Sequence, residues 1–226
     1  MNSNTTLIQI FKNIVPKKII NIRRRILILK QAIKTENKFK EKQFEKLFKS
    51  KKPVFLEFGS GSRKGVNGWT TIDITDGADI SWDINRLLPI PDNSVDKIYS
   101  SHFLEHFSIT EIQKILSECY RIIKPGGWIS ACVPDASIYI NAYVNNSKLD
   151  ENQFCGYKPA FNYHSKIDYV NYIAYLGGEH KHLFDSDNLV GIFKSCKFQN
   201  AKTRNFINEL DLKERNHQSI YVEATK

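Results

Sequence analysis

The chain has no apolar run approaching the roughly 18 residues that a membrane-spanning helix needs, and no signal-peptide cleavage pattern opens it. Internal repeats and low-complexity tracts are absent. Cysteine is sparse: Cys119, Cys132, Cys155 and Cys196 stand singly, with no CxxC pair among them. That pattern supports neither a disulfide framework nor a cysteine-rich zinc module, and a reducing, cytoplasmic compartment is expected. Basic charge is also scarce outside the first segment. The formal net charge is +9, but residues 1–52 hold 15 Lys and Arg against 3 Glu, a net of +12. Residues 53–226 hold 18 Lys and Arg against 21 Asp and Glu, a net of −3. A nucleic-acid enzyme concentrates basic surface around its site because phosphate contacts dominate affinity, so no nucleic-acid partner is expected.

What is present is 226 residues, 41% hydrophobic and 25% charged, enough for one globular domain with an appendage. In the appendage, residues 1–52, Pro16 is suited to open a helix. Ile19, Ile22, Ile26, Leu29 and Ile33 then draw one apolar stripe at spacings of three and four, flanked by Lys17, Lys18, Arg23, Arg24, Arg25, Lys30 and Lys34. Phe44, Leu47 and Phe48 suggest a second helix. Such a basic amphipathic extension either packs on the domain or on a twin subunit as a homodimer, or meets an anionic membrane surface or a partner such as a glycosyltransferase through residues 1–34.

From Pro53 to the end the rhythm is α/β. Strands are expected at Val54–Phe58, Trp69–Asp73, Asp79–Asp83, Val95–Ser100, Trp128–Val133, Ala201–Phe206 and Ser219–Ala224, the last two as an antiparallel hairpin at the sheet edge. Helices are expected at Thr110–Ile123, with Ile112, Ile115, Leu116, Cys119 and Ile122 inward, and at Asp187–Lys194. Lys124-Pro125-Gly126-Gly127 reads as a turn. Alternating strands and helices imply a Rossmann-like three-layer sandwich around a mostly parallel, seven-stranded sheet. Only ten residues separate Phe58 from Trp69, too few for an ordinary crossover helix. The first helix is therefore expected to be missing or reduced to a turn, with residues 36–50 covering the sheet face it leaves.

Glu57-Phe58-Gly59-Ser60-Gly61 ends the first strand in a glycine loop, and Asp73 ends the second in a carboxylate. Glycines let backbone approach a ligand closely, and a carboxylate there catches ribose hydroxyls. The same pair would serve a dinucleotide, but Lys64 stands where the third glycine of that fingerprint belongs. A cofactor without phosphates tolerates its absence.

The run from Trp82 to His106, with Leu88-Pro89-Ile90-Pro91-Asp92-Asn93-Ser94-Val95-Asp96 and then Leu104-Glu105-His106, resembles class I S-adenosylmethionine-dependent methyltransferases of the type 11 kind. Arg121-Ile122-Ile123-Lys124-Pro125-Gly126-Gly127 resembles the segment before that family's fifth strand. Together the matches span about residues 54–134. The resemblance implies S-adenosylmethionine as cofactor, with Glu57, Gly59, Ser60 and Gly61 at its methionine end. It implies Asp73 and Ile74 at the ribose, Asp83 for the adenine amino group, Ile84 beside the ring, and Ser101 at the end of the fourth strand.

A sulfonium methyl is already activated, so the chain must align the acceptor and, for a hydroxyl, remove its proton. His102 is the first candidate for that base and His106 the second; Asp135 follows the fifth strand nearby. If a helix starts near Ser101, residues 102, 105 and 106 share a face. The spacing also admits a divalent metal on His102, Glu105 and His106, completed by His180 or His182. Residues 135–182 hold nine Tyr and Phe residues among polar ones, which reads as an insertion with its own small core or as a lid whose rings stack on a substrate. A small-molecule or glycan hydroxyl is the expected acceptor. Methylation at nitrogen, a metal-assisted reaction on another acceptor, and a non-catalytic cofactor-binding partner are the alternatives.

Overall fold

The computed structural model describes residue 26, residues 41–49 and residues 52–226. The chain divides into two compact units, Met1–Lys46 and Leu47–Lys226. Ile26 is helical, as are residues 41–47. The rest of the amphipathic stripe, and residues 36–40 and 50 of the segment expected to cover the sheet, lie outside the described residues. Among the described residues, no helix is long and apolar enough to cross a membrane.

The second unit is built on a seven-stranded sheet in the order β3-β2-β1-β4-β5-β7-β6. β1 (Phe55–Phe58), β2 (Trp69–Asp73), β3 (Ile80–Ser81), β4 (Val95–Ser101) and β5 (Ile123–Pro134) run parallel. β7 (Ser219–Thr225) lies antiparallel between β5 and the edge strand β6 (Gln199–Thr203). The strand order reverses direction at β1/β4, which is where open α/β sheets bind ligands, outside the carboxyl ends of the strands.

Pairing partners in adjacent strands share a face, so the register sorts the two sides. Leu56, Ile98 and Ile129 lie side by side on one face. Ile98 and Ile129 share a core with Ile115, Leu116 and Cys119 of α1 (Ile109–Ile122) and with Phe193 of α5 (Ser186–Ser195). α1 forms because its apolar positions recur at helical spacing; Ile112, Ile115, Leu116, Cys119 and Ile122 are all buried, as expected. Ser108 and Glu111 close its first turn as a reciprocal cap. On the opposite face Glu57, Tyr99 and Ser130 align, and Tyr99, Cys132 and Tyr221 pack with Phe206 and Leu210 of the segment between β6 and β7. All four cysteines are buried and free.

The β1–β2 connection carries no helix, as its length requires; residues 61–62 form a turn and 63–66 are irregular. The β2–β3 and β3–β4 connections carry none either. A carboxylate organises the first of these loops. Asp79 Oδ2 accepts from the Gly65 N–H at 2.8 Å and the Thr71 N–H at 3.1 Å, and Lys64 Nζ donates to the Ala78 carbonyl at 2.6 Å. Lys124-Pro125-Gly126-Gly127 is drawn into the start of the long β5, with Gly126 at φ +75°. There Gly126 N–H donates to Lys226 O and Lys226 N–H to Gly127 O, extending the ladder to the last residue.

Residues 135–182 form a helical insertion: α2 (Ala136–Val144), the single turn α3 (Glu151–Phe154) and α4 (Ile167–Tyr175). It has its own core of Ala136, Tyr139, Ala142, Cys155, Tyr169, Tyr172 and Ile173. Tyr143, Tyr157, Tyr163 and Tyr175 remain exposed.

Gly59 and Gly61 both take left-handed φ values, +72° and +61°, but they differ in surroundings. A Cβ on Gly59 would meet the Phe103 ring at 2.2 Å, whereas one on Gly61 would meet nothing within 4 Å. Gly59→Ala therefore adds overpacking to backbone strain and is expected to cost ~2–5 kcal/mol. Gly61→Ala adds strain alone, ~1–2 kcal/mol. Urea unfolding of the two variants side by side measures the difference; equal losses would contradict it.

Candidate active site

The carboxyl ends of β1, β2 and β4 bring the glycine loop, Asp73 and the His102–His106 segment to one edge of the sheet. Asp73 Oδ2 accepts from the Gly61 N–H at 2.8 Å and Oδ1 from the Thr75 N–H at 2.9 Å. One carboxylate thus fixes the loops after both strands. Ser60 is buried, and its hydroxyl donates within the loop to the Gly61 and Arg63 carbonyls. Glu57 pairs with Arg63 at 2.6 Å; burial raises its carboxyl above the usual range, and the Arg63 charge pulls back against that. Asp83 Oδ1 caps the Asn85 N–H at 3.0 Å, with Ile84 half-buried beside it.

These groups fit a nucleoside bearing an amino-acid tail. Each Asp73 oxygen has one loop donor and keeps a second lone pair for a hydroxyl. Ile74 next to it leaves 72% of its surface exposed, an apolar face for a flat ring. The open space over Gly61 lets a ligand approach the backbone.

The β4 end differs from the helix anticipated there. His102 sits in the left-handed region at φ +50°, held by its N–H to the Cys132 carbonyl at 2.8 Å, and only a 3-10 turn follows, Leu104–His106. Non-glycine residues tolerate such a φ where the surroundings over-determine it. The Ser219 hydroxyl donates to the Arg215 carbonyl, so the 2.7 Å contact to His102 Nε2 makes that nitrogen the donor. His102 Nδ1 lies 3.8 Å from Glu105 Oε1. Both ring nitrogens therefore face protein groups. Burial, with the Arg215 charge second, pushes the His102 imidazole down to about 3, so it is neutral.

His106 is arranged differently. A carbonyl can only accept, so the 3.0 Å contact from Nδ1 to Glu179 O puts the proton on Nδ1 and leaves Nε2 with its lone pair. His180 repeats the pattern, donating from Nδ1 to Ile173 O at 2.7 Å. The two rings meet edge to face with centroids 5.3 Å apart. Glu105 is 2% exposed, and burial lifts its carboxyl to about 8. His182 turns away, with Nε2 on Asn188 Oδ1 at 3.1 Å. Asp135 caps α2 through Ser137.

Two residues had no sequence signal. Arg215, in the 3-10 segment Lys213–Gln218, donates to the Ser101 carbonyl at 3.0 Å and to its hydroxyl at 3.2 Å. Ser219 follows it at the start of β7. Both reach the site through contacts more than 110 residues away along the chain.

Residues 70–131 match the family model described as "Methyltransferase domain". No curated protein matches the chain in sequence. Among solved structures it is similar to an S-adenosylmethionine-dependent methyltransferase from Archaeoglobus fulgidus, with 17% identity over 85% of this chain and 94% of that one and a TM-score of 0.49. A second, from Methanosarcina mazei, has 16% identity over 78% and 93%, with a TM-score of 0.47. Phosphoethanolamine N-methyltransferase 2 of Haemonchus contortus in complex with S-adenosyl-L-methionine has 15% identity over 82% and 52%, with a TM-score of 0.44. Residues 70–131, which match a methyltransferase domain, thus run from β2 into β5 of a sheet ordered β3-β2-β1-β4-β5-β7-β6, with the glycine loop before them bonded to the Asp73 carboxylate.

Proposed function

We propose that the chain methylates a hydroxyl of a carbohydrate or another small molecule. One observation carries this reading: at the β4 end, where an acceptor would meet the methyl group, His106 presents an imine nitrogen with its tautomer fixed from behind. An alcohol needs a proton acceptor within reach during transfer, and an imidazole so held is suited to it. Exposed Tyr157, Tyr163 and Tyr175 on the neighbouring insertion offer flat faces to a sugar ring, and the net of −3 outside the first segment argues against a polyanionic acceptor.

S-adenosylmethionine, when bound, supplies the activated methyl. The chain's part is to hold its ribose with Asp73 and to keep the glycine loop open over Gly61. It must also orient the acceptor oxygen and take its proton at His106 Nε2. His102, bonded to Ser219 and facing Glu105, keeps the turn in place.

Asp73→Ala removes two loop bonds and the ribose acceptor. Hydrogen bonds to charged groups contribute ~1.5–3 kcal/mol, so affinity for S-adenosylhomocysteine is expected to fall by about 10–100-fold in calorimetry, with Asp73→Asn intermediate. The acceptor is tested with methyl-labelled S-adenosylmethionine against nucleotide sugars, glycans and small amines. Label is expected in alkali-stable methyl ethers; transfer to amines alone would overturn the hydroxyl reading.

A further inference from the structure

Glu105, His106 and His180 each offer one ligand atom, and these atoms all lie within 4.8 Å of one another. Glu105 is 2% exposed, and its Oε2 has no hydrogen-bond partner among the described residues. A buried acceptor left unmatched is costly, ~1–3 kcal/mol and more when charged, so this oxygen calls for a counterpart that the described residues do not supply. The two histidines beside it are held in the way metal-binding imidazoles are held: Nδ1–H is committed to a backbone carbonyl, which fixes the ring and frees Nε2. The framework is also tied down. The N–H groups of Lys181 and His182 donate to the Glu105 carbonyl at 2.8 and 3.2 Å, which locks the His180 segment to the 3-10 turn. Leu176, Gly177 and Gly178, at φ +39°, +70° and +105°, turn the chain to make that return.

We propose that Glu105, His106 and His180 form a binding site for a divalent transition ion of the zinc class, with two imidazoles and one carboxylate as ligands and one position open. Tetrahedral ligands at about 2.0–2.1 Å from zinc stand about 3.3 Å apart, so the three atoms close inward by an ångström or so as the ion enters. The donor set selects against Mg2+ and Ca2+, which prefer all-oxygen shells. His102 and His182, also candidates from their spacing, are engaged elsewhere by Ser219 and Asn188. The site modifies the reading above, on which this clause rests: with an ion on His106 Nε2 that nitrogen no longer accepts the proton, and an acceptor hydroxyl in the open position would be acidified by the ion and release its proton to solvent water. Binding itself does not depend on methyl transfer.

The test uses the full chain stripped with EDTA and titrated with ZnCl2, followed by calorimetry and thermal shift, with no methyl donor present. The expected result is saturable binding of one Zn2+ per chain with a rise in melting temperature, and none with MgCl2. His180→Ala and Glu105→Gln should each weaken binding by more than the roughly 10–100-fold typical of an outer-shell change, while His182→Ala retains wild-type affinity. If a variant fails to fold, the wild type decides alone: Co2+ should give the intense visible bands of a low-symmetry site containing imidazole. Absence of saturable Zn2+ binding, or affinity unchanged in both ligand variants, overturns the site. A null result here leaves cofactor binding intact, and a null cofactor titration leaves this site intact, so the two failures are distinguishable.

Discussion

His106→Ala is expected to lower kcat by about 10²–10⁴-fold, the span that a positioned proton acceptor contributes, with S-adenosylmethionine affinity unchanged. In the proposed reading His106 serves the acceptor, whereas the Gly61–Asp73 bond organises the loops that would hold the nucleoside, and the two share no hydrogen-bond partner. Alanine also deletes the Nδ1 bond to Glu179 O, which helps hold the return segment. His106→Asn separates the two roles, because its amide can still donate to that carbonyl but offers no imine nitrogen. Both variants should be inactive, and asparagine should recover the melting temperature that alanine loses. A fully active His106→Asn would reduce this residue to a loop anchor.

Asp211→Ala should destabilise the domain by ~3–5 kcal/mol, as removal of one member of a buried ion pair does. Arg204 and Asp211 have side chains 5% and 0% exposed and meet through two bonds, at 2.6 and 2.8 Å. The carboxylate also accepts from Tyr99 OH at 2.8 Å and from the Ile207 N–H at 2.7 Å, while Arg204 Nε reaches Ser130 Oγ at 2.8 Å. Removing Asp211 strands a buried guanidinium and two further donors. The network pins the segment after β6 to the sheet face that carries Tyr99 and Ser130, and that segment leads to Arg215 and Ser219. Stability and turnover should therefore fall together. In urea unfolding, the loss from Asp211→Ala combined with Arg204→Ala should be smaller than the sum of the single losses, since the two share one interaction. Additive losses would contradict the coupling.

The parts of this arrangement legible in the sequence are those with local causes. β2 matches its expected bounds because Trp69–Asp73 is framed by a glycine and a loop, and α1 and α5 follow their apolar spacing. The short β1–β2 loop gave away its missing helix by length alone. Of the next two connections, residues 74–79 are shorter still, and only residues 82–94 had room for a helical turn, which the Asp83 cap on Asn85 N–H replaces with a bend. The HxxEH spacing was visible, but its geometry was not. His102 adopts a left-handed conformation fixed by Cys132, so the helix face anticipated for residues 102, 105 and 106 does not exist. His180 meets His106 across 74 positions and Arg215 meets Ser101 across 114; such contacts leave no periodic trace. In residues 135–182, the same tyrosines that read as a core or as a lid divide between the two: Tyr139, Tyr169 and Tyr172 are buried, and Tyr143, Tyr157, Tyr163 and Tyr175 are exposed.

Calorimetric titration of the whole chain with S-adenosylhomocysteine tests the central claim most directly, because the demethylated product occupies the nucleoside site without needing an acceptor. Saturable binding of one molecule per chain, weakened by Asp73→Ala, is the predicted result. Neither heat nor thermal shift at any concentration of the product or of S-adenosylmethionine would contradict the account.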